Sequence, residues 1–83
     1  MNLDELHFLR ELGLRIRQCR EAAGWTQAQL AERCELHRTF IGSVERGERN
    51  VSILNLRLIA RILRVSLSEL LDAKPRPRKS RAE

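Results

Sequence analysis

No apolar run in the 83 residues approaches the roughly 20 that a membrane span requires. The first residues, Met1 to Glu5, are acidic, unlike the basic and then apolar start of a secretory leader, so the chain is expected to stay in the cytoplasm. Cysteine is scarce. Cys19 and Cys34 are the only two, whereas a secreted domain of this size would carry more in paired spacings, so a reducing compartment is implied. The parts of an enzyme are missing as well: no nucleophile stands beside a base, no carboxylate pair suggests a cleft, and no glycine loop is suited to cradle phosphate. His7, Cys19, Cys34 and His37 match no compact metal knuckle, and Cys19 falls on the apolar face of a helix, where a thiol packs. No metal, cofactor or small-molecule ligand is expected.

Hydrophobic residues make up 42% and charged residues 33% of the chain, the balance of a soluble folded domain, and the length leaves room for only one. The net charge of +5 is unevenly placed. Segment 73–83 holds Lys74, Arg76, Arg78, Lys79 and Arg81 against Glu83, so the remainder is nearly neutral. With Pro75 and Pro77 forbidding regular helix and nothing apolar to bury, 73–83 reads as a flexible basic tail on a domain spanning 1–72. Any partner of the domain must then be inferred from how charge is arranged on one surface.

Apolar residues recur three and four apart at Leu9, Leu12, Ile16, Cys19 and Ala23, which predicts a helix over about 4–23 ending at Gly24. In "WTQAQL", Thr26 and Gln29 form a capping box and Trp25 a hydrophobic staple to Leu30, opening a helix over 27–34. "VSLSEL" repeats the signal with Ser66, Glu69, Val65 and Leu70, for a helix over 67–72. "VSILNL" is a weaker start at Ser52 for a helix over 53–63, whose apolar face is Ile53, Leu56, Ile59, Ala60 and Leu63. A further short helix covers 38–46. The expected class is all-α, with five helices and no strand.

The helix over 38–46 has two unlike faces. At about 100° per residue, Arg38, Thr39, Gly42, Ser43 and Arg46 share one arc, and Phe40, Ile41 and Val44 lie opposite. An ordinary solvated face would carry good helix formers such as Glu, Lys and Gln, whereas Gly42 costs about 1 kcal/mol relative to Ala. Arg offers a planar fork to guanine edges, and Thr and Ser offer hydroxyls and a methyl group, the residue types that read a major groove. The helix over 27–34 precedes it at helix-turn-helix spacing. Gln27 stands at the N-terminus of that helix, where backbone N–H groups favour phosphate, and His37 opens the next, also within reach of phosphate.

The stretch "TQAQLAERCELHRTFIGSVERGERNVSILNLRLIARILRVSLSELL" resembles the Cro and phage-repressor type of helix-turn-helix domain, the XRE-like family. Within it, "HRTFIGSVERGERN" is most similar to the controller proteins of restriction-modification systems. The likeness runs from about Leu12 to Leu71 and implies a compact five-helix, lambda-repressor-like fold. It implies base contacts from Arg38, Thr39, Ser43 and Arg46, backbone contacts from Gln27, Arg49 and Asn50, and a buried ion pair between Arg20 and Glu45. It also implies a dimeric regulator of transcription acting on its own gene and that of an endonuclease, on a pseudo-palindromic DNA operator. An antitoxin or a phage-type repressor would use the same fold. Two departures stand out: Glu35 occupies a turn position where the family usually has Gly, so strain is expected there, and Val51 stands where it usually has Pro.

One reading helix covers too few base pairs to select a site among genomic competitors, so two copies are expected to act together. Leu58, Ile62, Leu67, Leu70 and Leu71 offer more apolar surface than one small core requires and are the expected homodimer interface. Arg57, Arg61 and Arg64 form a stripe read as a solvated face.

Overall fold

Five helices run through the computed structural model, which describes residues 1–72: α1 (Leu3–Ala22), α2 (Gln27–Cys34), α3 (Arg38–Glu45), α4 (Ile53–Leu63) and α5 (Leu67–Leu71). Segment 73–83, expected to be a flexible basic tail, lies outside the described residues. No helix among those described is long and apolar enough to cross a membrane.

Side-chain caps set where the helices start. Thr26 Oγ1 accepts from the Gln29 N–H at 3.0 Å while Gln29 Oε1 accepts from the Thr26 N–H at 2.8 Å, and Ser66 and Glu69 repeat the exchange at 3.0 and 2.9 Å. At Ser52 the hydroxyl accepts from the Asn55 N–H at 3.1 Å, without a reciprocal bond. A further box joins Asn2 and Glu5, so α1 begins at Leu3. Its sequence signal, "NLDE", is as legible as the others.

The ends of α1 to α4 share one device. In each, a left-handed residue follows the helix, its N–H donates three residues back, and the next N–H donates five back, which satisfies carbonyls the helix leaves open. Gly24 and Gly47 fill this position after α1 and α3 without penalty. Glu35 (φ 58°) and Arg64 (φ 62°) fill it after α2 and α4, at a strain of about 1–2 kcal/mol each. The strain expected at Glu35 is therefore present, and Arg64 adds a second instance that the sequence did not signal. Arg64 consequently caps α4, and only Arg57 and Arg61 of the expected stripe stand on the helix itself.

Each helix contributes one fully buried side chain to a single core: Ile16, Leu30, Ile41, Ile59 and Leu70. Leu70 had been expected at a dimer interface. Its side chain is instead enclosed within its own chain, because α5 turns this residue inward against α1 and α4. Ile53, expected on the buried face of α4, is 60% exposed, since the first turn of α4 projects past the core. Val51 packs half-buried against the core, as do Trp25, Cys19 and the half-exposed Leu58, Ile62, Leu67 and Leu71. Burial raises the pKa of the Cys19 and Cys34 thiols, which keeps both in the unreactive protonated form.

Gly13 and Arg15 both help to seat α1. Gly13 lies directly against α3, where a Cβ would collide with the carbonyl groups of Val44 and Glu45. Arg15 Nε donates to the Leu70 carbonyl at 2.7 Å, tying α1 to the last turn of α5.

Candidate nucleic-acid interface

Helices α2 and α3 pack closely across the turn at Glu35 and present the exposed face of α3 to solvent. Beneath that face lies a polar assembly. The guanidinium of Arg20 meets the Glu45 carboxylate side-on, Nε to Oε2 at 2.6 Å and Nη2 to Oε1 at 3.0 Å, and its Nη1 donates to the Trp25 carbonyl at 2.8 Å. Gln27 Nε2 donates to Glu45 Oε1 at 2.9 Å. One carboxylate on α3 therefore receives α1 through Arg20 and α2 through Gln27, while Arg20 also holds the α1–α2 turn. Both charged residues are 8% exposed. The hydrogen bonding of Arg20 to the Glu45 carboxylate raises the Arg20 pKa, outweighing the opposing effect of burial. A charge pair this buried is tolerable because most of its hydrogen-bonding capacity is met.

The candidate reading residues divide on this frame. Arg38 and Thr39 are exposed at the first turn of α3, and Arg46, just past its last residue, is exposed as well. Ser43 is not available for base contact. It is 8% exposed, its hydroxyl donates to the Phe40 carbonyl at 2.8 Å, and its oxygen accepts from Arg49 Nε at 3.1 Å. At its register Ser43 turns toward the α3–α4 loop, and its role is to hold that loop. The Arg49 guanidinium also lies 5.2 Å from the centre of the Phe40 ring, so a residue expected to touch the backbone is oriented by two contacts within the fold.

Among the candidate backbone contacts, His37 is the exposed N-cap of α3 and makes no side-chain capping bond, which leaves its ring free. Asn50 is exposed in the loop. Gln27 is half-buried, and one of its amide hydrogens is committed to Glu45. It is thus as much a structural link as a candidate phosphate ligand.

Sequence reasoning missed Gly13, whose cost to α1 is the price of bringing the α1 and α3 backbones together, and Glu48. Glu48 pairs with Arg46 at 3.0 Å from Oε2 to Nε, with both side chains more than half exposed. The contact raises the Arg46 pKa and lowers that of Glu48. An acidic residue two positions after an arginine expected to read bases was the available signal.

Two packed helices crossing at a tight turn, with arginine and threonine projecting from the second, define a helix-turn-helix domain. The helix-turn-helix family matches residues 16–70. The control protein C.BamHI of Bacillus amyloliquefaciens is 44% identical over 61 residues, 72% of this chain and 75% of that protein. The crystal structure of the restriction-modification controller protein C.AhdI from Aeromonas hydrophila is similar with a TM-score of 0.73 and 42% identity, over 75% of this chain and 94% of that one. The regulator SinR in complex with DNA is similar with a TM-score of 0.71 and 35% identity, over 74% of this chain and 98% of that one. This chain belongs to the XRE-type helix-turn-helix family, in company with the restriction-modification control proteins.

Proposed function

We propose that this protein is a sequence-specific DNA-binding regulator of transcription, the controller of a restriction-modification system, acting in the cytoplasm on its own promoter and on the endonuclease gene. It is a binding protein and not an enzyme. The observation that carries this reading is the exposed face of α3: Arg38 and Thr39 on its first turn and Arg46 just past its end are all exposed, on a helix whose underside is locked to α1 and α2 through Glu45. Such a helix can enter a major groove with its donors already oriented, while the N-terminus of α2, His37, Arg49 and Asn50 meet the flanking phosphates.

Two copies act together on a pseudo-palindromic operator. Leu58 and Ile62 share one face of α4, and with Leu67 and Leu71 of α5 they remain partly exposed after the core is filled. Packing these side chains across a two-fold axis would set two α3 helices about 34 Å apart, one turn of DNA. Dimerisation also supplies a threshold, because operator occupancy then rises steeply with protein concentration.

The test is selection of a binding site from random duplex DNA, followed by titration of single base-pair variants. A palindromic site is expected, and Arg38→Ala should lose about 1–3 kcal/mol on it with relaxed preference at one base pair per half-site. Equal loss on random duplex would overturn the base-reading role. Methyltransferase and endonuclease genes beside the coding sequence would distinguish a controller from an antitoxin or phage-type repressor.

A further inference from the structure

Arg46 does not extend freely into solvent. Its Nη1 lies 3.2 Å from the point where a Gly42 Cβ would stand, so the side chain folds back by one turn across the exposed face of α3. Gln27 Oε1 approaches the same point at 3.4 Å, and Gln27 is itself held by its bond to Glu45. Glu48 closes the third side, with Oε2 3.0 Å from Arg46 Nε. The Glu48 backbone is fixed in turn, its N–H donating to the Ser43 carbonyl at 2.9 Å. The guanidinium thus rests on a glycine floor, beside a glutamine carbonyl, with a carboxylate at its Nε. This contact occupies Nε and leaves Nη1 and Nη2, the two nitrogens that fork onto O6 and N7 of guanine.

An exposed ion pair contributes little to stability, so folding alone gives Glu48 no evident purpose. Its charge also sits beside Arg46, one residue before Arg49 in the chain, on the surface proposed to meet a polyanion, where it repels phosphate and weakens binding to DNA of any sequence. A group that disfavours all sites equally while orienting one base-reading arginine widens the gap between correct and incorrect sites.

We infer that Glu48 is a specificity-determining residue: it holds Arg46 across Gly42 so that the guanidinium meets one base edge, and it opposes indiscriminate contact with phosphate. The inference rests on the reading of α3 proposed above. Glu48 touches no base itself and acts through Arg46.

The experiment compares wild type, Glu48→Gln, Arg46→Ala and the double variant on the selected operator, on its single base-pair variants and on random duplex. Both side chains are more than half exposed, so the substitutions leave the core intact, and circular dichroism checks this. Glu48→Gln is expected to bind random duplex about three- to tenfold more tightly and to lose about three- to tenfold in preference at the single pair per half-site that Arg46 reads. In the Arg46→Ala background that loss of preference should vanish. Unchanged preference at that pair, an equal loss at every pair, or the same change with and without Arg46 would each overturn the role given to Glu48. A wild type that selects no sequence would overturn the reading of α3 itself, and with it this inference, before any variant is compared.

Discussion

Gln27, the first residue of α2, donates its side-chain amide to Glu45, the last residue of α3, at 2.9 Å. The bond couples the helix-turn-helix unit to the buried pair beneath it, because the same Glu45 oxygen also accepts from Arg20. Glu45→Ala would leave the Arg20 guanidinium uncompensated in the interior and should cost about 3–5 kcal/mol. Gln27→Ala removes one hydrogen bond at the edge of the assembly and should cost about 0.5–1.5 kcal/mol. Denaturant unfolding at a fixed protein concentration measures both, and a loss below 1 kcal/mol for Glu45→Ala would show that water reaches the pair.

Gly13 and Gly42 both lie inside helices, yet replacing them by alanine should have opposite effects on stability. At Gly13 the added Cβ meets backbone carbonyls of α3, which cannot move without separating two helices. Gly13→Ala is therefore expected to destabilise by about 1–3 kcal/mol despite the better helix propensity of alanine.

At Gly42 the nearest atom is the tip of the Arg46 side chain at 3.2 Å, which can give way, while Gln27 Oε1 at 3.4 Å stays in ordinary contact and need not move. Gly42→Ala should raise stability by up to about 1 kcal/mol while displacing the Arg46 guanidinium from its seat. Thermal melts and operator titrations on one sample check both halves of the expectation, which are a higher melting temperature and a weaker preference at the base pair assigned to Arg46.

The two leucines Leu67 and Leu70 separate the proposed interface from the core. Leu67 is partly exposed and Leu70 is wholly enclosed. Leu67→Glu should yield a folded monomer with weak operator binding, whereas Leu70→Glu should prevent folding, since it places a charge among apolar side chains with no partner. Sedimentation and circular dichroism distinguish the outcomes. A Leu67→Glu protein that still sediments as a dimer would remove α5 from the interface.

Helix starts were legible in short strings because capping is local: Thr26 with Gln29, and Ser66 with Glu69, needed only a four-residue string and a staple. The two-faced pattern of α3 was equally plain, since helical periodicity sorts residues without knowledge of the rest of the chain. What could not be read was the use of residues whose neighbours arrive from elsewhere. Ser43 lies within the polar arc of α3, yet the fold brings the α3–α4 loop over it and consumes its hydroxyl.

The amino-acid order by itself determined the five helices, the pairing of a short helix with a two-faced successor, and the place of Gly24 as a helix stop. Each rests on interactions within a turn or two of chain. Tertiary packing alone decided that Leu70 belongs to the core, that Gly13 marks the close approach of α1 to α3, and that Gln27 serves Glu45 before any phosphate. It also decided that Arg46 lies over Gly42 between Gln27 and Glu48. A contact between distant segments depends on which faces the assembled helices turn toward one another, and that orientation is set by the shared core.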